Sequence, residues 1–148
     1  MIHNETEKPI KVLFVCTHNS GRSLIAEAYL NGLGEGRFLA ESAGLEPREA
    51  NPLVVEGMKE EGFDLAGRRG KNLFEFFKEG RLYDYVIYVC DRETEAKCPV
   101  FPGVRRTMNW SFPDPASLQG TQEEKLRAVR GIRDSIQSRI RAWIGELG

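Results

Sequence analysis

The chain has 148 residues, of which 41% are hydrophobic, a length and composition that suit one domain around one core. Its 21 basic and 22 acidic residues leave a formal net charge of -1, so no global field draws it to nucleic acid or to an anionic membrane, and any anion site must be local. Three cysteines, an odd number, argue against a framework of structural disulfides and for redox or catalytic use.

Residues 1–9 are polar and read as a loose leader without an apolar signal core, and no apolar run approaches membrane-spanning length; a single domain over 1–148 in the cytoplasm is expected. Ile10 to Val15 is an apolar run interrupted only by Lys11, as in buried parallel strands. From Ser23 the positions Leu24, Ile25, Ala28 and Leu30 suit a helix that Gly32 and Gly34 stop. Phe38 to Ser42 is a short second strand. Asn51-Pro52 starts a second helix with a capping side chain and a proline in the first turn, and Leu53, Val54, Gly57 and Met58 carry its inner face toward Gly62.

A basic loop, Gly67 to Lys71, precedes a third short helix whose Leu73, Phe74, Phe76 and Phe77 are assigned to the core. Tyr83 to Val89 is a third strand ending in Cys90. Asp91 to Lys97 is charged, with Ala96 as its only apolar residue, and Cys98 to Gly103 is a turn-rich return to a fourth strand, Val104 to Trp110. Thr121 and Glu124 form a capping box, after which Leu126, Val129, Ile132, Ile136, Ile140, Trp143 and Leu147 mark the inner stripe of a long helix. Alternating strands and helices with right-handed crossovers predict a three-layer α/β domain.

The first strand ends in Cys16, and Thr17, His18, Asn19, Ser20, Gly21, Arg22 and Ser23 lead into the first helix. In such a strand-loop-helix start, backbone N-H groups converge on one point, the helix end adds partial positive charge, and Arg22 supplies a two-pronged cation. That is a seat for a tetrahedral oxyanion. The same groups favour the thiolate form of a cysteine at its base, which makes Cys16 the candidate nucleophile. Ser23 is placed to donate its hydroxyl to that sulfur. The competing reading is a buried strand-end cysteine beside a chance arginine.

The loop from Cys16 to Ser23, together with Glu41-Ser42-Ala43-Gly44, Asn51-Pro52, Cys90, Cys98-Pro99, Trp110 to Ala116 and Gln119-Gly120-Thr121, resembles the low-molecular-weight protein tyrosine phosphatases and the thioredoxin-coupled arsenate reductases that share their fold. Cys16 to Ser23 and the pair Asp114-Pro115 are common to both branches; the rest resembles the reductases. The resemblance implies a four-stranded parallel sheet. It also implies that Cys16 attacks arsenate, that Asp114 protonates the leaving oxygen, that Cys90 attacks the Cys16 sulfur to expel arsenite, and that Cys98 then pairs with Cys90. Thioredoxin would reduce that pair from outside, no cofactor would be bound, and phosphate or sulfate would compete for the seat.

Two other readings stay open. The chain could be a phosphatase in which Cys90 and Cys98 are incidental or regulatory, or a non-enzymatic oxyanion or redox sensor. A metal site is disfavoured because no Cys-x-x-Cys spacing exists and His3 and His18 lie in the leader and the loop. His18 is given no catalytic role. Some members hold a potassium ion under the loop with residues matching Asn19, Glu27 and Ser42 and an aspartate; here Lys71 falls near the aspartate's place, and its ammonium, if it reaches in, should oppose a cation. Seven residues separate Cys90 from Cys98, one more than the reductase pattern suggests.

Overall fold

The computed structural model describes residues 8–147; the first seven residues of the leader, His3 among them, lie outside it. Four strands form one sheet in the order β2-β1-β3-β4, and every pairing is parallel. They span Ile10–Cys16 (β1), Phe38–Gly44 (β2), Tyr85–Tyr88 (β3) and Arg106–Asn109 (β4). Val12 to Cys16 are buried in succession, so both faces of β1 are covered, which is the burial an apolar parallel strand predicts. From β1 the chain steps to β2 on one side and later to β3 on the other. That reversal opens a crevice at the carboxyl ends of β1 and β3, where such sheets place their sites.

Helix α1 (Arg22–Leu33) follows β1, and α2 (Pro52–Lys59) follows β2 under an Asn51 cap whose Oδ1 accepts from the Leu53 N-H at 2.9 Å. Helix α3 spans Leu73–Lys78. Its aromatic cluster divides: Leu73 and Phe76 are buried, but Phe74 and Phe77 are 41% and 40% exposed. Helical geometry gives the reason: Leu73 and Phe76, three apart, define the inner face, Phe77 falls at its edge, and Phe74, one residue after Leu73, points away from it. Phe77 instead stacks edge-on against Phe101 at 5.5 Å.

The charged segment after Cys90, for which the sequence offers no apolar face, forms one helical turn. Asp91 caps a single turn, α4 (Arg92–Glu95), through its Oδ1 and the Thr94 N-H at 2.7 Å, and hydrogen bonds continue to the Cys98 N-H on the Glu95 carbonyl. Helix α5 (Gln122–Leu147) begins at the predicted capping box: Glu124 N-H donates to Thr121 Oγ1 at 3.1 Å and Thr121 N-H to Glu124 Oε1 at 3.2 Å. Its stripe is buried from Val129 to Trp143, with Leu126 and Leu147 half-buried at the ends. Trp143 packs against Phe38, Tyr85 and Trp110 at ring separations of 5.7, 5.1 and 5.7 Å.

Between α2 and α5, Glu60 accepts from Arg130 Nη2 at 2.7 Å and from Arg133 Nη1 at 2.8 Å, and the same Arg133 nitrogen reaches the Gly57 carbonyl at 2.9 Å. The two guanidinium groups hold the Glu60 carboxyl at about 2. The depressed value means that the stabilisation is complete above the ordinary value of 4.5 and is lost as pH falls toward 2. Glu60→Gln should therefore lower the melting temperature at pH 7 and flatten the decline between pH 4.5 and 2. An unchanged acid profile would assign the acid sensitivity to other carboxylates.

Candidate active site

Cys16 is the last residue of β1, and Val89 extends the adjoining ladder by donating its N-H to the Val15 carbonyl at 2.9 Å. Cys90 is the next residue along, so the two thiols leave the same sheet edge from neighbouring strands, which run about 4.8 Å apart. All three cysteines are free; Cys16 and Cys90 are buried and Cys98 is half-buried.

The loop over Cys16 is held from outside by its carbonyls. Those of Thr17, His18 and Ser20 accept from the N-H groups of Glu46, Arg48 and Asn51 at 2.8, 3.0 and 2.8 Å, and that of Gly21 accepts from Ile25 at 3.0 Å. With the carbonyls turned outward, amide groups of the loop are free to face the centre. Two glycines permit this close wrapping. A Cβ at Gly44 would stand 2.8 Å from Asn19 N and Thr17 O, and one at Gly70 would stand 2.7 Å from His18 O.

At the base of the seat the Asn19 N-H donates to Cys16 Sγ at 3.1 Å, and Asn19 holds the left-handed φ of 48° that aims it there. Ser23 Oγ lies 2.8 Å from the same sulfur and accepts from Asn19 Nδ2 at 2.7 Å. An amide nitrogen can only donate, so the serine proton is left for the sulfur. Ser23 is fully buried and works on the thiol from below. Asn19 is fully buried as well, and its Oδ1 takes the Lys71 N-H at 2.9 Å. Of the loop residues expected to bind oxyanion, these two thus spend their side chains on the sulfur and the loop.

The rest of the seat forms a small polar cavity lined by Cys16, His18, Ser20, Gly21, Arg22 and, across it, Asp114. Arg22, buried, donates through Nη1 to the Phe112 carbonyl at 3.2 Å, and its Nη2 stands 3.7 Å from Asp114 Oδ2. Asp114 caps the turn Pro115–Ser117 through Oδ1, which accepts from the Ala116 N-H at 2.9 Å, leaving Oδ2 at the rim. Gly21 has Pro115 as its neighbour; a Cβ there would meet the ring at 3.3 Å. His18 Nδ1 lies 3.0 Å from the Glu46 carbonyl.

Thr17, the residue after the nucleophile, sends its hydroxyl away from the cavity to that of Thr94, 3.3 Å away on α4. Thr94 also accepts the Cys98 thiol at its carbonyl, 3.4 Å away. Glu95 accepts from Asn109 Nδ2 at 2.8 Å, and Ser111 Oγ donates to the Cys90 carbonyl at 3.3 Å, so the end of β4 and the loop after it hold both ends of the turn. Burial, reinforced by Cys16, pushes the Cys90 thiol up to about 12; burial and the Glu95 carboxylate push that of Cys98 up to about 11. Both are thiols at neutral pH.

The donors expected around a potassium ion are engaged within the protein. Ser42 donates to Glu27 Oε1 at 2.7 Å, and the Arg68 guanidinium sits on Glu27 Oε2 at 2.9 Å. The positive charge beneath the loop is thus Arg68, and Lys71, whose side chain is exposed, contributes only its backbone. A cation does not fit beside that guanidinium. Among the described residues no cluster of three His, Cys, Asp or Glu side chains could hold a metal. Thr94, Asn109 and Arg68 were not singled out from the sequence, since a threonine, an asparagine and an arginine in charged segments carry no pattern of their own.

This geometry agrees with comparisons to known proteins. An arsenate reductase of Halalkalibacterium halodurans is 33% identical over 132 residues, 89% of this chain and 93% of that one. A solved arsenate reductase in its phosphate-binding state superposes with a TM-score of 0.70 at 30% identity, covering 94% of this chain and 99% of that one. A thioredoxin-dependent arsenate reductase of Corynebacterium glutamicum gives 0.64 at 28% identity over 93% of this chain and 64% of that one. The family model for low molecular weight phosphotyrosine protein phosphatases matches residues 11–148, nearly the whole chain, and the chain belongs to that family.

Proposed function

We propose that the protein is an arsenate reductase that works through Cys16, Cys90 and Cys98 and is regenerated by thioredoxin. The observation that carries this reading is the gathering of three free thiols at one sheet edge: Cys16 in the seat, Cys90 on the adjoining strand, and Cys98 returned to Thr94 beside it. A phosphatase needs only the first. Reduction of pentavalent arsenic takes two electrons, and two thiols supply them by becoming one disulfide.

In this reading the Cys16 sulfur displaces one arsenate hydroxyl, which takes the proton of Asp114 and leaves as water. Cys90 then gives up its proton and attacks the Cys16 sulfur; the S–S bond forms as the S–As bond breaks, and its electron pair stays on arsenic, which leaves as arsenite. Cys98 attacks Cys90, the Cys16–Cys90 bond opens, and Cys16 regains its thiolate in a seat ready for it. Thioredoxin returns two electrons and two protons to the Cys90–Cys98 pair. The thioredoxin-dependent relative supports that reductant, and the phosphate-binding relative supports phosphate as a competitor. A cytoplasmic location belongs to the same proposal, supported by the free thiols and by the absence of a membrane-crossing helix among the described residues.

The second reading, a tyrosine phosphatase, is favoured by Cys16 and Asp114 facing one cavity. Arsenate-dependent oxidation of NADPH in the presence of thioredoxin and its reductase separates the two. Sustained oxidation with matching arsenite release is expected; aryl phosphate turnover without either would leave the phosphatase.

A further inference from the structure

We infer that Thr94 is a positioning residue that couples the oxyanion seat to the redox turn through its hydroxyl contact with Thr17. Thr94 is buried and occupied on three sides. Its N-H is held by Asp91 Oδ1 at 2.7 Å, its hydroxyl meets Thr17 Oγ1 at 3.3 Å, and its carbonyl receives the Cys98 thiol at 3.4 Å. One residue therefore touches the cap of α4, the loop over the nucleophile and the third thiol. Apart from Thr94, the turn from Asp91 to Lys97 buries no side chain, so few contacts hold it and each is a large share of its local stability.

The loop side of the contact is built to respond to an anion. Thr17 directly follows Cys16, and its carbonyl is pinned by the Glu46 N-H at 2.8 Å, which leaves its hydroxyl as the link outward. An anion that draws loop amides inward fixes Thr17 and so favours the arrangement in which Thr94 can meet it. Such an anion shifts the turn only by the difference it makes to that contact. With the seat filled by a tetrahedral anion, the turn is held closed and Cys98 stays on the Thr94 carbonyl; with the seat empty, the turn opens more freely and Cys98 is released. This rests on the reading of Cys90 and Cys98 as the redox pair, and the order it imposes is that Cys98 is held back while an oxyanion occupies Cys16.

Amide exchange of residues 92–98 and alkylation of Cys98, each read by peptide mass with and without inorganic phosphate, test the coupling without any arsenate chemistry. Phosphate should slow both in the wild type by about three- to tenfold, the effect of one hydrogen bond of ordinary strength. Thr94→Val keeps the shape and loses the hydroxyl; exchange and Cys98 alkylation should rise in the free protein and lose their response to phosphate. Thr94→Ser should restore both, which a purely steric role would not. Thr17→Val should reproduce Thr94→Val from the other end of the contact. Phosphate that shields Cys16 from alkylation but leaves 92–98 unchanged in the wild type overturns the coupling while sparing the seat. Equal protection in the wild type and in Thr94→Val overturns the contact as its route. Failure of phosphate to shield Cys16 overturns the seat and the coupling together.

Discussion

Cys16→Ser should abolish arsenate reduction and aryl phosphate hydrolysis together. Both reactions begin with the same sulfur in the same seat, where the Asn19 N-H at 3.1 Å and the Ser23 hydroxyl at 2.8 Å meet at Cys16 Sγ. A serine oxygen there is a far poorer nucleophile than sulfur. The loss should be on the order of a thousandfold or more in both activities. Phosphate binding should survive, because the outward carbonyls, the loop amides and Arg22 do not depend on the sulfur. Arsenite release, aryl phosphate turnover and phosphate titration measure the three separately. A variant that keeps either activity would remove Cys16 from the mechanism; one that also loses phosphate would point to collapse of the loop.

What was legible in the sequence, and what was not, divides along a physical line. The order of elements, the capping box at Thr121 and Glu124, the Asn51 cap and the stripe of α5 rest on local spacing, and the structure has each of them. The nucleophile and its arginine were legible for the same reason, being seven residues of one loop. Where spacing is ambiguous the reading failed. Four apolar residues in five, at Leu73 to Phe77, cannot all face inward from a short helix, and Phe74 and Phe77 face out. Asp91 to Lys97 lacks an apolar face and so carries no periodic signal, yet the Asp91 cap suffices for one turn. The rest joins residues far apart in the chain. Arg68 on Glu27, Thr94 on Thr17 and Asn109 on Glu95 are 41, 77 and 14 residues apart, and no local pattern announces them.

Cys98→Ser should halt after one arsenite per enzyme, with a Cys16–Cys90 disulfide trapped and no thioredoxin-linked cycling. The reason lies in the geometry of the resting turn. From Asp91 to Cys98 the backbone is bonded in successive turns: Glu95 N-H on the Asp91 carbonyl, Ala96 on Arg92, Lys97 on Thr94 and Cys98 on Glu95. Wound wholly as α-helix, eight residues at 1.5 Å each would set the Cys90 and Cys98 Cα atoms about 12 Å apart, whereas a disulfide tolerates less than about 7 Å; here one α-helical turn, Arg92–Glu95, is followed by tighter three-residue turns at Lys97 and Cys98. Cys98, seated on the Thr94 carbonyl by this turn, is expected to reach Cys90 only as the turn loosens, and without it the second step is the last. The pH dependence of that second step has a definite sign. Burial holds the Cys90 thiol up at about 12, so its thiolate fraction at neutral pH is small and grows with pH. Formation of Cys16–Cys90 in Cys98→Ser should accelerate roughly tenfold per pH unit between about pH 7 and 9, where the attacking group must lose its proton. Peptide mapping of arsenate-treated Cys98→Ser should find Cys16 joined to Cys90, and of the wild type Cys90 joined to Cys98. Aryl phosphatase activity should persist in the reduced variant, since Cys98 touches neither Cys16 nor Asp114 in that reaction. Undiminished multiple turnover of Cys98→Ser with thioredoxin would end the three-thiol relay and leave a two-thiol reductase in its place.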